Sequence, residues 1–85
     1  IIIDVRSESE FKSGNIKNSI NVPLKELMYR VNEFDKDKKY VTVCAAGIRA
    51  ESAKKFFERK GFQVLNGGRW TTIKDLKNKK LTLLN

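Results

Sequence analysis

The stretch "YVTVCAAGIRAESAKKFFERKG", residues 40–61, joins a strand pattern directly to a helix pattern. "YVTVC" (40–44) alternates and is rich in β-branched residues, which predicts a strand that ends at Cys44. Apolar residues then recur at helical spacing from about residue 48 to residue 60, before a glycine stop signal. The residues that carry this helix pattern are Ala50, Ala53, Phe56, Phe57 and the terminating Gly61.

The rest of the chain repeats the order of strand and helix. "IIIDV" (1–5) is a continuous apolar run, typical of a strand buried on both faces, and Ser7 and Glu10 then have the spacing of a capping box. Further predicted elements are a strand at 19–22, an amphipathic helix at 24–34 carrying Leu24, Leu27, Met28 and Val31, a strand at 62–65, a turn at 66–68 and a helix at 69–78. The tail at 81–85 fits a strand, a packed end or the start of a linker. This order predicts an α/β fold with a mainly parallel central sheet of about four strands flanked by helices.

Length and composition set the broad class of the protein. Eighty-five residues are enough for one domain, which we expect to cover 1–85. The chain begins inside its first predicted strand, which suggests a domain cut from a longer protein or a minimal version of a larger fold. No apolar run approaches the roughly 18 residues of a membrane span, and no signal peptide pattern is visible. We therefore expect a cytoplasmic location and no membrane partner.

Cysteine and histidine usage narrows the possible chemistry. A single cysteine, Cys44, cannot form an internal disulfide, which fits a reducing compartment where a free thiol persists. The chain has no histidine, which excludes Cys–His and Ser–His catalysis together with histidine metal sites. We expect no metal centre.

The charge balance is strongly basic. The chain has 18 Lys and Arg against 10 Asp and Glu, a formal net charge of +8. The surplus lies mostly in "KKFFERK" and "KDLKNKK", where solvated helix faces are the simpler interpretation. Nucleic-acid binding is not expected, because these basic residues are not interleaved with aromatics and match no recognition motif. A positive net charge does attract small anions and acidic partners.

The residues after Cys44 form a candidate anion cradle. Ligands of parallel sheets collect beyond the carboxyl ends of the strands, where Cys44, Asp4 and the 67–68 glycines are expected. The small side chains at 45–47 leave backbone N–H groups uncovered, and Gly47 permits a positive φ. Such a loop, running into a helix N-terminus, stabilises a sulfur anion. Cys44 is thus a candidate nucleophile without a histidine base, although a buried filler cysteine is the alternative.

Two longer stretches carry a family resemblance. "IIIDVRSESEFKSGNIKNSINVPLKEL" (1–27) and "VTVCAAGIRAESAKKFFERKGFQVLNGG" (41–68) resemble the rhodanese-like family. The shared pattern is a strand ending in Asp-Val-Arg, an acidic helix, a Cys-x-x-Gly-x-Arg loop with its helix, and a later Gly-Gly. The resemblance extends from residue 1 to about residue 76.

The resemblance implies sulfur transfer without a metal or organic cofactor. The family's cysteine takes a sulfane sulfur from thiosulfate, a polysulfide or a low-molecular-weight persulfide, and passes it to cyanide or a thiol. Cys44 matches the nucleophile and persulfide carrier, and Asp4 and Arg6 match a structural pair that holds the active loop and bridges to Glu10. The matching substrate-binding cradle is Ala45, Ala46, Gly47, Ile48 and Arg49, with Arg49 as the anion contact. The acceptor must be external, because the chain has no second cysteine, and a fused or docked neighbouring domain could supply it.

The sequence also departs from the family pattern. Asn15 replaces a histidine and residues 17–19 replace Pro-Gly-Ala, at positions that we interpret as structural. Ala45 and Ala46 stand where many active members carry polar or basic side chains, which argues against thiosulfate as the physiological donor. Trp70 comes earlier than the usual tryptophan, so that we expect different packing of the last helix.

Two other functions stay open. Cysteine phosphatases and arsenate reductases share a related loop, but phosphatases need Cys-x5-Arg, whereas Cys44 and Arg49 give Cys-x4-Arg. The tighter ring suits a single sulfur atom rather than a tetrahedral phosphate. A non-catalytic rhodanese-like module that binds a partner or senses redox state is the second alternative, and the presence of Cys44 favours the enzyme over it.

Overall fold

The chain folds around one four-stranded parallel sheet. The structure, a computed structural model, describes the backbone of residues 1–84 and the side chains of residues 1–79. The strands are β1 (Ile2–Asp4), β2 (Ile20–Asn21), β3 (Lys39–Cys44) and β4 (Gln63–Arg69), in the order β2-β1-β3-β4. The α-helices are α1 (Glu8–Lys12), α2 (Leu27–Arg30), α3 (Ile48–Arg59) and α4 (Trp70–Leu84). The prediction of an α/β fold with about four parallel strands is confirmed.

The start of the chain follows its sequence pattern closely, whereas the last helix is longer than the predicted 69–78. The predicted capping box starts α1, since the Glu10 N–H donates to Ser7 Oγ at 3.3 Å and the Ser7 N–H donates to Glu10 Oε1 at 3.2 Å. At the other end, α4 begins at Trp70 and continues to Leu84, so that most of the ambiguous tail is helical and residue 85 lies outside the described residues. Within the described part of the chain, no helix is long and apolar enough to cross a membrane.

The core lies between α3 and the sheet. Ala50, Ala53 and Phe57 of α3 are fully buried. The Phe57 ring stacks on Tyr40 of β3 at 6.2 Å and meets Phe62 edge-on at 5.2 Å, both measured between ring centroids. Aromatic pairs in this range add about 0.5–1.5 kcal/mol to their burial. This packing fixes how α3 leaves the end of β3.

The prediction of one helix over residues 24–34 is wrong. A 3-10 helix (Leu24–Glu26), the short α2 and a second 3-10 helix (Val31–Glu33) occupy this segment. Met28, assigned to the apolar face, is 72 % exposed, whereas Leu27 is buried. Three residues per turn align Leu24 with Leu27 and rotate residue 28 outward, which explains the difference.

The predicted turn at residues 66–68 is also wrong, because β4 continues through it. Thr42 of β3 pairs with Asn66, and Val43 pairs with Gly68, so that Gly67 is the extra residue of a bulge. A Cβ atom at Gly67 would lie 2.6 Å from Val41 Cγ1, which leaves room only for glycine. The bulge extends β4 until Arg69 pairs with Cys44.

Candidate active site

Two main-chain N–H groups converge on the sulfur of Cys44. The Gly47 N–H donates to Sγ at 3.0 Å and the Ala50 N–H, in the first turn of α3, donates to Sγ at 3.3 Å. Both donors, and the positive end of the helix dipole, stabilise negative charge on the sulfur. Cys44 is 1 % exposed, so the sulfur lies beneath its loop and not on the open surface.

The predicted cradle residues take different positions around this sulfur. Gly47 adopts φ +95°, a left-handed conformation that L side chains rarely adopt. Ala45, Ala46 and Ile48 carry exposed side chains, which gives the loop an uncharged outer surface. Of the five predicted cradle residues, Gly47 donates its N–H to Sγ, and Ala50, outside the predicted set, supplies the second donor.

Arg49 is paired with Glu10 of α1. Arg49 Nη1 donates to Oε1 at 2.7 Å and Nη2 donates to Oε2 at 3.0 Å, a two-pronged ion pair. The hydrogen bonds from Arg49 are the largest cause that lowers the pKa of Glu10 to about 2, and the hydrogen bond from the Ser7 N–H is the next largest. The hydrogen bonds to Glu10 in turn raise the pKa of Arg49. The guanidinium therefore connects the active loop to α1, and its role as an anion contact remains a prediction.

Asp4 and Arg6 form a buried ion pair at the end of β1. Arg6 Nη2 lies 2.8 Å from Asp4 Oδ2, and Arg6 and Asp4 are 4 % and 0 % exposed, which excludes a plain surface pair. Arg6 also donates to the backbone carbonyls of Glu10 at 3.3 Å and Gly14 at 2.6 Å, and it lies 4.3 Å from the centre of the Trp70 ring. Arg6 thus contacts Glu10 through its carbonyl, while the Glu10 carboxylate pairs with Arg49. These bonds fix α1 against the sheet.

Two side chains that no sequence motif identifies hold the loop in place. Asn66 Nδ2 donates to the Gly47 carbonyl at 3.4 Å and to Glu51 Oε2 at 2.9 Å. Thr42 Oγ1, buried in β3, donates to the Ala50 carbonyl at 2.9 Å. The alternation of "YVTVC" places Thr42 on the same face as Cys44, which is a signal for its role. The Asn-Gly pair at 66–67, by contrast, is typical of a turn, so the sequence did not indicate that Asn66 contacts the active loop.

Comparison with known proteins shows the family of this chain. The family profile described as "Rhodanese-like domain" matches residues 1–70. The chain belongs to the rhodanese-like family. A rhodanese-related protein from Thermoplasma volcanium has the same fold, with a TM-score of 0.80 and 32% identity, over 89% of this chain and 76% of that one.

Two curated relatives of this rhodanese-like chain are named as sulfurtransferases. The putative sulfurtransferase YtwF of Bacillus subtilis is 31% identical over 65 residues, which cover 76% of this chain and 63% of YtwF. A tRNA sulfurtransferase of Thermoplasma acidophilum is 32% identical, over 93% of this chain and 15% of the relative. The chain therefore spans less than two thirds of the length of these relatives.

A cavity of about 490 Å³ opens beside the loop of this rhodanese-like chain, on the side of β1. Its walls combine apolar and charged groups: Pro23, Leu24, Glu8, Lys25, Glu26 and Arg49. A volume of this size accommodates a small organic molecule. The charges of both signs on its walls distinguish this cavity from a purely basic anion pocket.

Proposed function

We propose that this chain is a sulfurtransferase that carries a sulfane sulfur as a persulfide on Cys44. The observation that carries the proposal is the pair of N–H groups, from Gly47 and Ala50, that donate to Sγ at 3.0 and 3.3 Å. Membership of the rhodanese-like family and the sulfurtransferase names of relatives support the same class of reaction. The donor is thiosulfate, a polysulfide or a low-molecular-weight persulfide, and the acceptor is cyanide or an external thiol.

The first step forms the persulfide. The Cys44 thiolate attacks the sulfane sulfur of the donor, a new Sγ–S bond forms, and the S–S bond of the donor breaks. The leaving group departs with the electron pair: sulfite from thiosulfate, a thiolate from an organic persulfide, or a polysulfide shortened by one sulfur atom. The N–H groups that face Sγ stabilise the thiolate before the attack.

The second step returns the enzyme to its starting state. An acceptor thiolate or cyanide attacks the outer sulfur of the persulfide, and the Sγ–S bond breaks. The electron pair returns to Sγ, so that the product is a new persulfide or thiocyanate. Once Cys44 is a thiolate, neither step requires a proton transfer to or from a histidine, a residue that the sequence lacks.

The ion pair of Arg49 weighs against phosphatase chemistry. A phosphatase loop needs the guanidinium of its arginine to bind the oxygens of a tetrahedral phosphate. Here both terminal nitrogens of Arg49 donate to Glu10, at 2.7 and 3.0 Å. Sulfur transfer needs no such contact at the sulfane sulfur itself.

The burial of Cys44 is also compatible with a non-catalytic rhodanese-like module. At 1 % exposure, the thiol could also belong to a module that binds a partner or senses redox state without transferring sulfur. Such a module would keep the fold and the ion pairs but would not accumulate a persulfide.

The intact mass of the protein separates these functions. After exposure to thiosulfate, polysulfide or glutathione persulfide, we expect the wild type to gain one sulfur atom, which cyanide removes. The Cys44→Ser variant, checked for folding by circular dichroism, should gain none. A wild type that gains no sulfur from any donor supports the binding module, and aryl phosphate hydrolysis by the wild type alone supports the phosphatase.

A further inference from the structure

Arg69 lies directly beside Cys44 at the carboxyl edge of the sheet. The bulge at Gly67 brings Arg69, the last residue of β4, into register with Cys44, the last residue of β3. Paired residues of neighbouring strands are about 4.8 Å apart. A guanidinium on a side chain as long as arginine can therefore reach a group that reacts at Cys44.

The Arg69 guanidinium is not occupied by another part of the described structure. Arg69 is exposed, and its side chain makes no hydrogen bond or ion pair with the residues whose side chains are described. Two other arginines near the loop are engaged, Arg49 with Glu10 and Arg6 with Asp4. Ala45 and Ala46 of the loop are uncharged, so few positive side chains near Cys44 are available to bind a negative group.

The end of β4 is held against the active loop. The Asn66 side chain donates to the Gly47 carbonyl at 3.4 Å and accepts the Gly68 N–H at 2.8 Å. The Gly68 Cα atom lies 3.5 Å from the position that a Cβ atom on Gly47 would occupy. The backbone that carries Arg69 is therefore fixed relative to Cys44.

We propose that Arg69 binds the negatively charged group of the sulfur donor and so selects anionic donors. The proposal rests on the proposed function of Cys44, and it places charge recognition on the β4 side of the loop. The guanidinium fork suits the sulfonate of thiosulfate or the carboxylate of an organic persulfide equally well. Arg69 takes no part in bond formation or cleavage, and it acts by positioning the donor.

Alkylation of Cys44 tests this role without any sulfur donor. Iodoacetate is an anion and iodoacetamide is neutral, yet both transfer a carbon to the same thiolate and release iodide. Because Cys44 is the only cysteine, the intact mass reports each reaction at one site. The ratio of the two rate constants therefore measures how strongly the surroundings of Cys44 attract an anion.

We expect Arg69→Ala to lower the iodoacetate to iodoacetamide ratio about three- to five-fold, the range of an exposed charge interaction. Arg69→Lys keeps the charge and should retain more of the ratio. Arg59→Ala is the matched control, because it removes an equal charge from an exposed arginine at the far end of α3. A 12-residue helix is about 18 Å long, a distance at which salt screens an exposed charge.

The outcomes separate this proposal from the proposed function. If the iodoacetate to iodoacetamide ratio is the same in Arg69→Ala and in Arg59→Ala, the proposed role of Arg69 is overturned, even if the wild type gains sulfur. A ratio that falls only in the Arg69 variant supports the anion site, even if no donor loads Cys44 and the proposed function fails. If neither reagent labels the wild type, the thiol is sealed and both proposals are overturned.

Discussion

At the scale of single residues, the proposed chemistry depends on the conformation of Gly47. Its φ of +95° allows α3 to begin directly after the loop, while its N–H donates to Sγ of Cys44. The sequence predicted this glycine as the residue that permits a tight cradle. It could not identify Ala50 as the second donor, because that contact depends on where α3 packs against β3.

Gly47→Ala should slow persulfide formation and destabilise the fold by about 1–3 kcal/mol, since an L residue is strained at this φ. Gly61→Ala is the matched control, because Gly61 has a φ of +89° at the end of α3, away from Cys44. Chemical denaturation should show a similar loss of stability in both variants. Only Gly47→Ala should lose the rate of sulfur gain, and equal rates in the two variants would disprove the role of the Gly47 amide.

At the scale of secondary structure elements, α1 and α3 are joined by Glu10 and Arg49. The capping box at Ser7 fixes where Glu10 stands on α1, and the ion pair then attaches the first residues of α3 to it. The sequence predicted the cap because its spacing is local. From the sequence, Arg49 was expected to contact an incoming anion. Its partner Glu10 is 39 residues away along the chain, so their ion pair is visible only in the folded protein.

The pH dependence of stability tests this ion pair. The pKa of Glu10 falls from an ordinary value of 4.5 to about 2 in the folded protein. Its stabilising effect is therefore fully present above about pH 4.5 and is lost as the pH falls through about 2. Both side chains are 37 % exposed, so we expect Glu10→Gln to cost at most about 1 kcal/mol at neutral pH.

Thermal unfolding of the wild type and Glu10→Gln from pH 7 to pH 2 measures this effect. The difference in midpoint should shrink as the pH falls from about 4.5 towards 2, since protonated Glu10 no longer differs in charge from glutamine. A difference that stays constant over this range would show that the ion pair does not contribute through the charge of Glu10.

At the scale of the whole molecule, the order of strands and helices could be predicted from the sequence, and the end of β4 could not. Strand and helix periods alternate along the chain, which is enough to specify a parallel α/β sheet. The glycines at 67 and 68 look like a turn in isolation. Gly67 is instead the extra residue of a bulge, where only a glycine fits beside the Val41 side chain. This close contact is visible only once β4 lies beside β3.

The net charge of +8 should make the reaction with anionic donors sensitive to salt. We expect the rate of sulfur gain from thiosulfate to fall several-fold as sodium chloride rises from about 20 to about 200 mM, because salt shortens the range of electrostatic attraction. The rate of labelling by neutral iodoacetamide is the control and should not change. A thiosulfate rate that is independent of salt would rule out electrostatic attraction of the donor by the protein.

Mapping the transferred sulfur to a peptide tests directly whether Cys44 carries the persulfide. After loading with polysulfide, tryptic cleavage after Lys39 and Arg49 releases residues 40–49, which contain the single cysteine. We expect one additional sulfur atom on this peptide, and its release as one equivalent of thiocyanate when cyanide is added. A peptide of unchanged mass, from protein that labels normally with iodoacetamide, would contradict the persulfide on Cys44.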